Sequence, residues 1–158
     1  MLAGLGIPIR YFQKEARMDF GSINWLAVVA CVVASMIIGS IWFSPKTFYP
    51  AWWKAIGKSE SDGPGMTNMG VVWGGTVLAS FVQAVFISLM VNVMGSLSGG
   101  TSLAAGATAG FLLWLGFVAP SSLTNKLFAG QLKAWLYEVG NHLLTFVVMG
   151  AIVGAWPK

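Results

Sequence analysis

Four long apolar runs, separated by short polar segments, constrain the fold of this chain more than any other feature. Each run exceeds the roughly 20 residues that a helix needs to cross about 30 Å of hydrocarbon at 1.5 Å per residue. Only 9% of the 158 residues are charged, against about 25% in a soluble domain. The chain is therefore predicted to be an integral membrane protein. The predicted spans are about residues 23–43, 69–92, 103–128 and 134–156.

The connections between the last three spans are short, and short connections make consecutive helices antiparallel neighbours. We therefore expect an all-α fold, a four-helix up-down bundle formed by residues 18–158 as one domain. The first connection is longer and interleaves aromatic residues, prolines and lysines, a composition typical of the lipid headgroup zone. It predicts a short interfacial helix after Pro50. The predicted interface anchors are Trp42, Trp52, Trp53 and Trp156.

The N-terminus leaves the orientation open. Residues 1–17 form an extension with three basic residues and no long apolar core, which is unlike a signal peptide, and Met18 is an alternative start. A start at Met18 puts five lysines on the first and third connections against one on the other side, so both termini face away from the cytoplasm. With the extension the ratio is five to four and decides nothing. The expected location is the membrane, of bacterial inner-membrane type.

The last run is not uniformly apolar. It contains the only histidine of the chain and the only acid inside any span. At about 100° per residue, its polar residues share one stripe of the helix, while Gly150 and Gly154 lie on the opposite side. Neither face suits lipid alone, so we expect protein on both sides of this helix. The candidate polar or ligand site consists of Glu138, Asn141, His142 and Thr145, together with Ser121 and Asn125 of the third run.

Three interpretations of this stripe are open, because ionisable groups inside a bilayer are costly and suggest function. It is a buried polar network that fixes helix register, a proton or ligand site, or a ligand to a metal or pigment. One histidine and one carboxylate are too few for a closed zinc site, so no metal and no cofactor are predicted. Axial ligation of a haem or chlorophyll-type ring by His142 remains as an option. Lys126 and Lys133 lie on the side from which a lysine can reach Glu138.

Proline and glycine residues predict how the spans bend and pack. Pro120 removes a backbone hydrogen bond and frees the carbonyl of Gly116, so we expect a kink there, with nearby hydroxyl groups bonding the freed groups. Small residues allow close helix approach in lipid. The glycines predicted to serve helix packing are Gly39, Gly70, Gly74, Gly106, Gly110, Gly150 and Gly154.

Several segments together resemble a known family. The motifs are Gly-Ser-Ile-Trp-Phe-Ser-Pro from Gly39, Trp-Leu-Gly-Phe-Val-Ala-Pro from Trp114, and Asn-His-Leu-Leu from Asn141. They are similar to motifs of the domain-of-unknown-function family 1761, over about residues 24–154. The resemblance implies a small bacterial-type integral membrane protein and carries no established activity. The residues that it places at motif positions are Trp114, Gly116, Pro120, Asn125 and His142.

Two functions follow from these features as expectations. The first is a non-catalytic accessory or scaffold subunit, or an oligomeric module, whose partners are the lipid bilayer and further copies of the chain or other membrane subunits. The alternative is a small proton-coupled transporter or exporter, working as an oligomer, with Glu138 and His142 as the protonatable pair. We do not expect an enzyme. Helix packing that brought His142 next to Ser121 would, however, support a catalytic function. The net charge of +4 is spread without a dense basic cluster, so nucleic acid is not an expected partner.

Overall fold

The computed structural model describes residues 19–63 and 68–157, and the N-terminal extension with Met18 lies outside this described part. Within it, the regular structure is helical. The helices are α1 (Trp25–Trp42), α2 (Tyr49–Ala55), α3 (Met69–Ser98), α4 (Leu103–Leu113), α5 (Ala119–Phe128) and α6 (Leu132–Ala155). A π-helical turn, Trp114–Val118, makes α4 and α5 one continuous element. In the described ranges, four helical segments are long and apolar enough to cross a membrane: α1, α3, α4 through α5, and α6.

Single polar residues set the starts of three of these segments. The Asn24 side chain accepts hydrogen bonds from two backbone N–H groups of α1, both at 3.1 Å. Asn68 does the same for α3, at 3.0 and 3.4 Å, and the Ser102 hydroxyl accepts from the first turn of α4 at 3.1 Å. Because the first turn of a helix has unbonded N–H groups, these caps determine the residue at which each helix begins.

Helix α3 continues beyond Asn92, where the predicted second span ends. The hydroxyls of Ser96 and Ser98 donate to carbonyls of the preceding turn at 2.7 and 2.8 Å, which keeps them compatible with a helix. Gly99 then ends the helix with φ of 86°, a left-handed conformation that favours glycine. Asn92 itself donates to the Ser22 carbonyl at 3.1 Å, so this end of α3 is tied to the turn before α1.

A π-helical turn precedes Pro120, where the sequence predicted a kink. The N–H of Ala119 bonds the carbonyl five residues back, and such π-turns are a known cause of helix kinks. The Ser121 hydroxyl donates to the Phe117 carbonyl at 2.5 Å. A hydroxyl next to the proline thus bonds the preceding turn, as expected, but its acceptor is Phe117 rather than Gly116.

Helix α6 is the centre of the fold, since it contacts every other helix. Its most extensive contact is with α4, where glycines of the two helices face each other. A Cβ atom at Gly106 would overlap the Gly150 carbonyl and lie 2.8 Å from the Cα of Gly154, and one at Gly110 would overlap the carbonyl of Phe146. The two backbones therefore touch directly, as in close helix pairs in lipid.

The other three glycines predicted for packing do not serve it within the described chain. A Cβ atom at Gly39 or Gly74 would meet nothing described within 4 Å, and one at Gly70 would meet only the Asn68 side chain, at 3.2 Å. Their packing role therefore stays a prediction that would need a helix from another molecule. A stripe of small residues shows that a helix permits close approach, but it does not show whether another helix lies there.

The apolar core lies at the end of the bundle away from α2. There α1, α3 and α6 meet around fully buried residues such as Val28, Ile87 and Met149. At the other end the helices diverge, and residues 69–79 of α3 are all exposed. This divergence leaves a space between α3 and the pair α1 and α6.

Candidate functional site

The space between α1, α2, α3 and α6 is a cavity of about 670 Å³. It is open rather than enclosed, and residues 69–79 of α3, several of which line it, are exposed. Its wall combines aromatic and aliphatic side chains with many polar ones. The polar wall residues are Ser35, Ser40, Ser44, Tyr49, Trp52, Trp73, Thr76, Ser80, Gln83, Glu138, Asn141, His142 and Thr145.

The structure brings together four of the six candidate site residues. The stripe of α6, from Glu138 to Thr145, faces this cavity. Ser121 and Asn125 are exposed and do not line it, because α5 packs on another side of α6. Pro120 and Gly116 are also exposed and outside the cavity wall. The Ser121 hydroxyl bonds its own helix, so the described geometry does not place it at His142.

Glu138 forms a polar tie between three helices. Its Oε1 accepts from the Lys126 ammonium of α5 at 2.8 Å and from the Trp52 indole of α2 at 2.9 Å. Lys126 and Glu138 are both about one-fifth exposed, 22% and 21%. Charge-assisted hydrogen bonds of this length are strong ones. A lysine does reach Glu138, as the sequence suggested, and the carboxylate holds α2 over the end of the cavity.

Three tryptophan indoles donate hydrogen bonds to three consecutive residues of α6. The Trp42 N–H donates to the Tyr137 carbonyl at 3.0 Å, Trp52 donates to Glu138, and Trp114 donates to the Val139 carbonyl at 3.0 Å. Each indole thus has an apolar body against the bundle and a satisfied N–H, the arrangement that a buried tryptophan needs. Together they fix the height of α6 relative to α1, α2 and the π-helical turn.

The four predicted interface anchors therefore differ in their contacts. Trp42 and Trp52 point their N–H groups inward to α6. Trp53 donates to the Ser59 carbonyl, at 2.9 Å, within the connection between α2 and α3. Trp156 packs partly buried against the apolar core at the other end of the bundle.

Part of the hydrogen-bonding capacity beside the cavity is unused. The amide nitrogen of Asn141 is enclosed and has no hydrogen-bond partner among the described residues. An unmet buried donor costs about 1–3 kcal/mol. Across the cavity, the hydroxyls of Ser35 and Ser80 bond each other at 2.7 Å. One enclosed polar atom beside the cavity is therefore unsatisfied, as is the Ser88 hydroxyl, which does not line the cavity.

Sequence reasoning missed the α3 side of the site. Thr76, Ser80 and Gln83 line the cavity opposite α6, but they were not among the candidate residues. Gln83 carried a usable signal, since it is an amide in the middle of a long apolar run. Single hydroxyls in such runs are common and often bond their own helix, as Thr76 does to the Val72 carbonyl at 2.8 Å.

The side chains of the cavity wall are suited to binding a ligand by hydrogen bonds rather than to covalent catalysis. Its one carboxylate is engaged by Lys126 and Trp52. Among the described residues, no three histidine, cysteine or acidic side chains lie close enough together to hold a metal ion. The absence of a metal and of a cofactor was predicted from the sequence and stays a prediction.

One family model matches the chain over residues 26–154, a range that covers most of it. Its description is "Protein of unknown function (DUF1761)". The chain belongs to this family. The resemblance inferred from the sequence motifs is thereby confirmed. No curated protein and no solved structure matches the chain. The whole cavity wall lies inside the DUF1761 range, so the function of this member has to be argued from the cavity.

Proposed function

We propose that this DUF1761 protein is a four-span membrane protein that binds a small molecule in the cavity between α1, α3 and α6. The membrane part rests on four segments of sufficient length and apolar character. Their surfaces are rich in exposed apolar side chains, such as Leu78 at 63% and Phe117 at 71%. Such surfaces suit lipid far better than water.

The proposed topology is an up-down bundle with both termini at the same end. Lys46, Lys54 and Lys58 lie in and beside α2, Lys126 lies near the end of α5 and Lys133 near the start of α6. For a chain that starts at Met18, the positive-inside rule puts this end on the cytoplasmic side, in a membrane of bacterial inner-membrane type. Helix α2, whose aromatic residues and Lys54 suit the headgroup zone, then lies at the cytoplasmic surface. A reporter that is active only in the cytoplasm should be inactive when fused after Trp156, and activity there would reverse the orientation.

The binding role is carried by one observation: a cavity between apolar helices whose mainly apolar wall carries several polar side chains. Its volume of about 670 Å³ falls within the 300–1,000 Å³ typical of small-molecule sites. Polar side chains between apolar helices are costly unless they find partners. The wall side chains of Gln83 and His142 have no hydrogen-bond partner among the described residues. A bound molecule with hydrogen-bonding groups would supply such partners.

Native mass spectrometry of protein extracted from its own membrane tests this role. The wild type should carry an additional mass of a small molecule, and the Asn141→Leu variant should lose most of it. Asn125→Leu is the matched control, because Asn125 is an exposed asparagine outside the cavity. A wild type without any bound small molecule, or equal retention by both variants, would refute the binding role.

An accessory subunit or oligomeric module is the second candidate. It is favoured by the first half of α3, where Val71, Trp73 and Leu78 are all more than half exposed. Gly70 and Gly74 on the same segment leave room for another helix. Crosslinking in native membranes through a cysteine at Val71 would detect such a partner. A strictly monomeric, partnerless protein would count against this candidate.

A proton-coupled transporter is favoured by one feature, the presence of Glu138 and His142 one helical turn apart on the same cavity wall. The engagement of Glu138 by Lys126 opposes it, since this carboxylate already has a cationic partner. If the protein moves protons, Glu138→Gln should abolish proton-coupled flux in liposomes while the fold is retained. Unchanged flux in that variant would exclude Glu138 from transport.

A further inference from the structure

The charges around the cavity nearly cancel. Among the described wall residues Glu138 is the only acid, and the Lys126 ammonium lies 2.8 Å from its Oε1. No lysine or arginine is part of the wall formed by the described residues. The other two ionisable wall residues, Tyr49 and His142, offer hydrogen bonds rather than fixed charges. A charged ligand would therefore leave water without gaining an opposite charge, which is strongly unfavourable.

Aromatic side chains are concentrated at one end of the cavity. Phe43, Tyr49 and Trp52 lie at the α2 end, together with the polar side chains of Ser44 and Glu138. The hydroxyl pair of Ser35 and Ser80 lies farther from α2. Ser35 and Phe43 are eight residues apart on and just after α1, which is about 12 Å at 1.5 Å per residue. The cavity is thus elongated, with aromatic side chains at its α2 end and hydroxyl groups along its length.

The ligand class that these features indicate rests on the proposed binding role. We propose that the cavity binds an uncharged, membrane-soluble molecule with a planar ring that carries carbonyl or hydroxyl groups, the chemistry of quinones and phenols. The ring packs against the aromatic walls, which favour flat partners. Its oxygen atoms bond the donors and acceptors that α6, α1 and α3 present to the cavity. The cavity is open rather than enclosed, so such a molecule can enter it.

Three naphthalene probes that share one ring system and carry a neutral, an anionic or a cationic substituent test the proposal. They are 2-naphthol, 2-naphthalenesulfonate and a trimethyl-naphthylammonium ion. Each is incubated with the full chain in mild detergent, after any native ligand has been removed, and the bound probe per chain is counted by native mass spectrometry. We expect one equivalent of 2-naphthol, with at least about tenfold weaker retention of both charged probes, the equivalent of about 1.4 kcal/mol.

Two glycine variants show whether the probe occupies the cavity. Gly39 lines it, and a Cβ atom there would meet nothing within 4 Å, so Gly39→Phe adds a ring at the cavity wall. Gly74 has the same free space but does not line the cavity, so Gly74→Phe is the matched control. The first variant should lose 2-naphthol, and the second should retain it.

The outcomes separate the ligand class from the binding role. Binding of a charged probe that Gly39→Phe abolishes would overturn the uncharged ligand class but leave the cavity as a binding site. Retention of 2-naphthol by Gly39→Phe would place the probe outside the cavity and overturn the proposal. Failure of all three probes to bind would overturn the ligand class, and together with a ligand-free native protein it would overturn the binding role as well.

Discussion

Replacing Gly106 by alanine should push α4 away from α6. The new Cβ atom would overlap the Gly150 carbonyl and lie 2.8 Å from the Gly154 Cα, where ordinary contact begins at 3.4 Å. Both neighbours are backbone atoms, so no side-chain rotation can relieve the overlap. The two helices themselves have to separate along the most extensive contact in the described fold.

The expected cost follows from two opposing effects. Overpacking of a well-packed contact costs about 1–3 kcal/mol, and overlap with two backbone groups places Gly106→Ala at the upper end. Replacing glycine by alanine inside a helix returns about 1 kcal/mol through helix propensity. The net loss should be about 2 kcal/mol. Gly74→Ala in α3 has the same propensity gain and no overlap, so it should be neutral or stabilising by about 1 kcal/mol.

The assay is reversible unfolding in mixed micelles by increasing amounts of SDS, followed by tryptophan fluorescence. The two variants should differ by about 3 kcal/mol, roughly a hundredfold in the unfolding equilibrium constant. Equal unfolding midpoints for Gly106→Ala and Gly74→Ala would refute direct backbone contact between α4 and α6.

Two further predictions concern the polar tie at Glu138. Glu138→Gln should destabilise the protein by about 1–3 kcal/mol, because Lys126 loses its partner in a site only about one-fifth exposed. Adding Lys126→Met should restore part of this loss, since removing both members of a buried pair costs less than removing one. Strictly additive losses in the same SDS titration would contradict the pairing. Trp52→Phe should increase hydrogen exchange of α2, because the indole joins that helix to α6. Trp53→Phe, whose indole bonds only within the connection, should do so less, and equal exchange in both variants would contradict the tie.

Sequence patterns predicted the helices well because those patterns are local. The length and apolar character of each run, together with residues such as Asn24 and Asn68 at its start, determine where a helix forms. A π-helical turn lies before Pro120, where the sequence predicted a kink, and the kink itself stays a prediction. The extension of α3 to Ser98 reflects serines that bond their own helix, a contact that hydropathy does not detect.

The candidate site was predicted in part, since one half of it lies on a single helix. The spacing of Glu138, Asn141 and His142 places them on one face without knowledge of any neighbour. Which helix faces them depends on tertiary packing, so Ser80 and Gln83 of α3 were missed and Ser121 was wrongly grouped with the stripe. The pairing of Glu138 with Lys126 rather than Lys133 likewise depends on how α5 packs against α6.

The most direct test of the binding cavity is the ligand content of two glycine variants purified from native membrane. Gly39→Phe fills the cavity wall, whereas Gly74→Phe adds the same ring on α3 outside it. Native mass spectrometry should find the bound small molecule in the wild type and in Gly74→Phe, and it should find little in Gly39→Phe. Equal ligand content in both variants would contradict the account, because the molecule would then bind elsewhere.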